Sequence, residues 1–273
     1  MQFRTAKEIV EDTSKGASEL FFEAGTSILQ LDRNEAEQYA IRLVKNRYSM
    51  APLVNLANVT FNALDKEDHK DFIDRYISRV RRSKKDVLKK AREELDHFEK
   101  IGTLSYSSTV LKILSDKQDV SVLESRPLLE GRKTAEILSH EGVHVEFYPD
   151  NALFDMISEV DVFVTGCDSL SVDHFTNKTG THTAVIVCEH LSKPVYLVSD
   201  ISKVLPKGIP SNHDEKHDPE EVWDTDINVN IHNTYFEKIP FYDHITLVNS
   251  EEIKRKDQYE RVSDEVLKYH PRV

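Results

Sequence analysis

The chain has 273 residues, room for one large domain or two modest ones. Its 39% hydrophobic and 31% charged residues can bury a core, which excludes a disordered polymer, and a net charge of −12 argues against sequence-independent nucleic-acid binding through a basic face. No apolar run approaches the roughly 18–20 residues that span a bilayer.

The N-terminal segment lacks the apolar stretch of a secretory leader. The two cysteines, Cys167 and Cys188, form no spaced framework and read as reduced thiols. The expectation is a cytoplasmic protein.

Residues 1–101 read as a helical domain. Thr5 to Leu29 carries Ile9, Val10, Ala17, Leu20, Phe21 and Ala24 at helical spacing, as two short helices split near Thr13-Ser14. Asn34 to Val44 continues the pattern. Around Arg47 to Asn55 it breaks, because Pro52 disfavours helix at Ala51. Arg47 either points at a bound phosphate or caps a helix C-terminus. Asp65 to Ile101 is the clearest helix, with Phe72, Tyr76, Val80, Val87, Ala91, Leu95 and Phe98 on one side. Arg79, Arg81, Arg82, Lys84, Lys85, Lys89 and Lys90 form its charged side. That side is a solvated face or, less simply, a patch for an acidic partner.

Residues 102–273 alternate short apolar runs with helical patterns. Strands are expected at Thr103 to Ser105, Val120 to Leu123, Val143 to Phe147, Asp161 to Thr165, Val195 to Val198 and Ile245 to Val248, with a short hairpin strand at Val172 to Phe175. Helices are expected at Ser107 to Ser115, Glu130 to His140 (closed by Gly142), Asn151 (as cap) to Ser158, Thr179 to His190 and Glu252 to Tyr269. Repeated β-α-β units give a mostly parallel, doubly wound sheet. The fold class is therefore α/β: a helical N-terminal domain followed by a Rossmann-like domain. The acidic stretch Lys207 to Asn233 breaks the pattern, and its His213, His217 and His232 fit no zinc spacing.

In an open parallel sheet, ligands bind at the C-terminal strand ends. Here those ends carry polar residues. Ser105, Ser107 and Ser108 sit at a strand-to-helix junction, as a phosphate site or an ordinary N-cap. Arg126, locked by Pro127, suits a phosphate or a salt bridge to Glu124 or Glu130. Asp168 follows Gly166 and can bond a ribose or act as acid or base. Asn177 and Lys178 lead an anion-cradle-like stretch that is not a P-loop. Lys203 adds charge at the next strand end. With no G-x-G-x-x-G, a dinucleotide has no support, and no cofactor or metal is expected. A phosphorylated sugar or an AMP-like nucleotide fits this set.

The segments ESRPLLEGR (Glu124 to Arg132), GCD (Gly166 to Asp168), NKTGT (Asn177 to Thr181), RYSMAPLVNLAN (Arg47 to Asn58) and SYSSTVLKIL (Ser105 to Leu114) together resemble one superfamily. It holds the alpha, beta and delta regulatory subunits of translation initiation factor 2B, their archaeal homologues, ribose-1,5-bisphosphate isomerase and methylthioribose-1-phosphate isomerase. The resemblance spans nearly the whole chain. It implies the two-domain fold above, dimerisation or a higher oligomer, and partners among initiation factor 2 subunits. The isomerase branch uses an aspartate and a cysteine. The aspartate maps to Asp168, but the cysteine position falls on Ser105, and no glycine-rich arginine segment precedes Arg47. The resemblance thus points to a non-catalytic, regulatory-subunit-like protein with a metabolite pocket. The alternative is an aldose-ketose isomerase acting on a sugar 1-phosphate through Asp168 and Ser105.

Overall fold

A computed structural model describes residues 3–12, 15–209, 211, 217–250 and 263–269. The first part is helical: α1 (Ala6–Glu11), α2 (Ala17–Ile28), α3 (Arg33–Asn46), α4 (Ala51–Ala63) and α5 (His69–Glu94). Capping boxes start α1 (Thr5 with Glu8) and α3 (Asp32 with Glu35), which satisfies otherwise orphaned N–H groups. Helix α4 is buried at every position but Asn62, as befits a helix apolar all round. It begins at Ala51, because Pro52 falls in the first turn, where its missing N–H costs nothing. The expected split between α1 and α2 near Thr13-Ser14 lies outside the described residues.

The long helix is shorter than its periodicity suggested. It ends at Glu94, and Ile101 belongs to a strand. Its buried stripe runs Ile73, Tyr76, Ile77, Val80, Ser83, Val87, Ala91. The first four join the helical core, and Val87, Ala91 and Leu95 join a sheet core. Helix α5 is thus a beam shared by both halves, about 39 Å long at 1.5 Å per residue.

The second part is a six-stranded sheet of order β3-β2-β1-β4-β7-β9. Its strands are β1 (Lys100–Leu104), β2 (Asp119–Leu123), β3 (His144–Tyr148), β4 (Val162–Thr165), β7 (Val195–Ser199) and β9 (Ile245–Asn249), and every pairing is parallel. Helices α6 (Ser108–Leu114), α7 (Glu130–His140), α8 (Leu153–Glu159) and α9 (Thr181–His190) connect them. Alternate residues of β4 face opposite cores: Val162 and Val164 meet one, Phe163 the other. That double burial is what makes the strands read as continuous apolar runs.

A second sheet, β5-β6-β8, is antiparallel. It pairs β5 (Ser169–Leu170), β6 (His174–Lys178) and β8 (Phe236–Pro240). The hairpin strand therefore extends to Lys178, past the expected end, and β8 was not read at all. Asn151 does not cap α8: residues Asp150–Ala152 form a 3-10 turn, and Ala152 precedes the helix with no side-chain cap. The C-terminal helix α10 (Asp264–Tyr269) places Val266 in the helical core, and the start expected at Glu252 lies outside the described residues. Among the described residues, no helix is long and apolar enough to cross a membrane.

Candidate functional site

The strand order reverses between β1 and β4, the place in an open parallel sheet where ligands bind at the strand ends. From β1 the chain enters Ser105, a non-glycine residue in left-handed conformation (φ 61°). Two bonds hold it there: its N–H donates to Ser125 Oγ at 2.7 Å, and its carbonyl accepts from Thr134 Oγ1 at 2.7 Å. Ser107 caps α6 through the Val110 N–H and packs on Gly166, where a Cβ would meet Ser107 Oγ at 2.8 Å. The hydroxyls of Ser105, Tyr106 and Ser108, all partly exposed, make no hydrogen bond among the described residues.

Asp168, beyond β4, is tied by its N–H to the Thr176 carbonyl at 2.7 Å, while its carboxylate accepts no hydrogen bond among the described residues. The nearest cation is Lys203 Nζ, 4.0 Å from Oδ1; the two side chains are 14% (Lys203) and 30% (Asp168) exposed. Burial pushes the Asp168 pKa above the ordinary carboxylate range, with Lys203 opposing, Glu130 reinforcing and Lys178 opposing. Lys203 lies in the 3-10 turn Ile201–Lys203 after β7.

Other expected site residues are engaged within the protein. Lys178 is 2% exposed and donates to Glu130 Oε1 at 2.8 Å, with its ammonium 5.1 Å from the Tyr235 ring centre. Glu130 Oε2 is shut from solvent and has no hydrogen-bond partner among the described residues. Asn177 donates to Thr165 Oγ1 at 2.8 Å and Thr181 Oγ1 at 2.9 Å, tying β6 to β4 and α9. The Arg126 guanidinium is exposed and donates to the carbonyls of Val222 (2.8 Å) and Glu221 (3.3 Å), holding the acidic loop. Neither expected ion pair forms there: Glu124 pairs with Arg132, and Glu130 with Lys178. Arg47 donates to the Asp12 carbonyl at 2.7 Å, so of its two readings the structure places it on the C-cap residue of α1.

Cys167 does not stand in for a thiol at Ser105. It is buried in the core, donates to Ser199 Oγ at 3.3 Å, and burial pushes its pKa up to about 12. Among the described residues, no cluster of three or more potential metal ligands occurs.

A profile described as the initiation factor 2 subunit family matches residues 4–252. The chain belongs to that family. Within it, an eIF-2B subunit 2-like translation initiation factor of Pyrococcus furiosus is 29% identical, over 64% of this chain and 67% of the relative. Ribose 1,5-bisphosphate isomerase of Methanocaldococcus jannaschii is 23% identical, over 81% of this chain and 76% of that protein. The crystal structure of translation initiation factor eIF-2B from Pyrococcus horikoshii matches with a TM-score of 0.74 at 24% identity, covering 89% of this chain and 93% of that one; it bears on the fold. The family thus holds both factor-like and isomerase relatives.

Sequence reasoning passed over three residues of this neighbourhood. Glu130, which neutralises Lys178, was considered only as an Arg126 partner. Asp150 accepts the N–H groups of Ser125 and Arg126, both at 2.7 Å, and so shapes the loop after β2. Lys84 was assigned to a solvated face, yet it falls at the spacing of the α5 buried stripe, between Val80 and Val87. That spacing was a legible signal.

Proposed function

We propose that this protein is an eIF-2B alpha/beta/delta-like regulatory protein that binds a sugar phosphate or nucleotide at the β1, β4 and β7 strand ends without turning it over. The observation that carries the reading is a set of strand-end polar groups without hydrogen-bond partners and without an accessible thiol. Asp168, Lys203 and the hydroxyls of Ser105, Tyr106 and Ser108 face no hydrogen-bond partner among the described residues, while Cys167 is buried with its pKa near 12. Groups of this kind suit a ligand with one anionic and several hydroxyl groups. A serine at position 105 is a far weaker acid than a cysteine, whose free pKa is about 8.5. Proton transfer at neutral pH through that position is correspondingly poor. The reading carries with it a homodimer or larger oligomer, contact with initiation factor 2 subunits and a cytoplasmic location. Light scattering and affinity capture test these.

Incubation with ribose 1,5-bisphosphate, with and without AMP, is the direct test. No turnover is expected, and turnover abolished by Asp168→Asn would overturn the reading. That outcome would favour a sugar 1-phosphate isomerase, for which the raised Asp168 pKa is the supporting observation, since a carboxylate poised nearer neutrality is a better general base.

A further inference from the structure

Two lysines at the end of β7 are largely covered; each stands in a long ion pair and makes no hydrogen bond among the described residues. Lys203 Nζ stands 4.0 Å from Asp168 Oδ1. Lys84 Nζ, on α5, stands 3.8 Å from Asp200 Oδ2 with its side chain 17% exposed. The other Asp200 oxygen already accepts from the N–H and hydroxyl of Ser202, at 2.9 and 2.5 Å. An ammonium presents three donors, and neither Nζ is a fully buried atom left without a partner, so solvent reaches both and an anion can take its place. Contacts near 4 Å leave those donors open.

The two lysines are held on rigid parts. Ser83 Oγ accepts the Ile201 N–H at 3.1 Å, and Asn55 Nδ2 donates to the carbonyls of Ser202 and Val204, both at 2.8 Å. The turn bearing Lys203 is thereby fastened to α4 and to α5, the helix bearing Lys84. Lys84 also borders the stripe of α5 next to the buried Ser83, between Val80 and Val87, where the helix crosses from one core to the other. A cation there costs stability unless it meets an opposite charge. Burial depresses the Lys84 pKa; Asp200 opposes, Lys203 and Lys112 add to the depression, and Glu19 opposes. The like charges of Lys203 and Lys112 thus act on a site that an anion would relieve.

We propose that Lys84 anchors the anionic group of the ligand: a phosphate lies between Lys84 and Lys203, and the hydroxyl-bearing part faces Asp168 and the serine hydroxyls. This rests on the reading of the strand ends as a phosphorylated-ligand site. The ligand class that follows is a sugar or nucleoside monophosphate rather than a bisphosphate. Of the neighbouring cations, Lys178 is engaged by Glu130, Arg126 by the loop carbonyls, and Lys133 lies over the Tyr106 ring at 4.2 Å.

Calorimetric titration of the full chain with inorganic phosphate, ribose 5-phosphate and ribose 1,5-bisphosphate tests this. The monophosphate binds the wild type, and Lys84→Met, which keeps the apolar stem, weakens it by about tenfold or more, the worth of one charge-assisted hydrogen bond. Lys84→Met binding within twofold of wild type overturns the Lys84 assignment and leaves the strand-end reading standing. A bisphosphate binding more than tenfold tighter than the monophosphate overturns the ligand class. Absence of binding by the wild type to any of the three sinks the strand-end reading, and the inference with it. Should Lys84→Met fail to fold, amine acylation of the wild type decides the matter. Ribose 5-phosphate protects Lys84 from the reagent if the assignment holds, and an unprotected Lys84 overturns it.

Discussion

The ends of β1, β4 and β7 carry the same kinds of polar residue as the ends of β2 and β6, and use them differently. Beyond β2 and on β6, Arg126, Asn177, Lys178 and Glu130 are bonded to one another, to neighbouring strands or to the acidic loop. Beside the strand-order reversal, three hydroxyls make no hydrogen bond among the described residues, and Asp168 and Lys203 face each other only at 4.0 Å. A polar residue at a strand end is therefore not in itself a ligand residue. What separates the two groups is whether the protein supplies a partner at hydrogen-bonding distance.

The largest effect expected from breaking this division is on the engaged side. Glu130→Ala leaves Lys178 charged and 2% exposed without its carboxylate. Loss of one partner of a buried pair costs about 3–5 kcal/mol, and the 28% exposure of Glu130 points to the lower end, about 3 kcal/mol. Chemical denaturation measures it, and a loss below about 1 kcal/mol would mean that water replaces the carboxylate. Gly131→Ala comes next. A Cβ there would stand 1.8 Å from the Leu123 carbonyl oxygen, so α7 must move off the end of β2, at a cost of about 2–3 kcal/mol. A variant as stable as wild type would contradict that packing.

On the open side, Asp168→Asn acts in the opposite direction. A carboxyl whose folded pKa is raised binds its proton more tightly in the folded state. Its contribution to stability is present below the unfolded pKa, near 3.9, and lost as pH rises through the raised folded value. At pH 7–8 the asparagine variant should therefore melt higher than wild type, with the gap closing as pH falls toward the ordinary carboxylate range. A variant less stable than wild type at pH 8 would show Asp168 to be a structural residue. The smallest effect concerns the thiols. Burial holds both Cys167 and Cys188 at pKa values of about 12, so a disulfide reagent at pH 8 should label neither in the folded chain and both after unfolding. Rapid labelling of Cys167 would instead show a reactive thiol next to Asp168.

How much was legible follows from the same physics. Strands β1, β2, β4 and β7 announced themselves because both faces are largely buried, unlike those of the edge strand β3. Strand β8 did not: it lies in the small antiparallel sheet, only Ile239 is buried, and Pro240 ends it, so its pattern resembles a loop. Asp168 and Lys203 were identified by position after a strand. The partners that engage Arg126 and Lys178 come from 95 to 96 and from 48 residues away in the chain, beyond any local pattern. Lys84 was the reverse case: its helical spacing marked it, and the abundance of neighbouring cations hid it.

The most direct test of the division sets one open cation against one engaged cation. Calorimetric binding of ribose 5-phosphate to Lys203→Met and to Arg126→Ala should show loss in the first and near-wild-type affinity in the second. Retention by Lys203→Met together with loss in Arg126→Ala would place the ligand at the end of β2 and contradict the account.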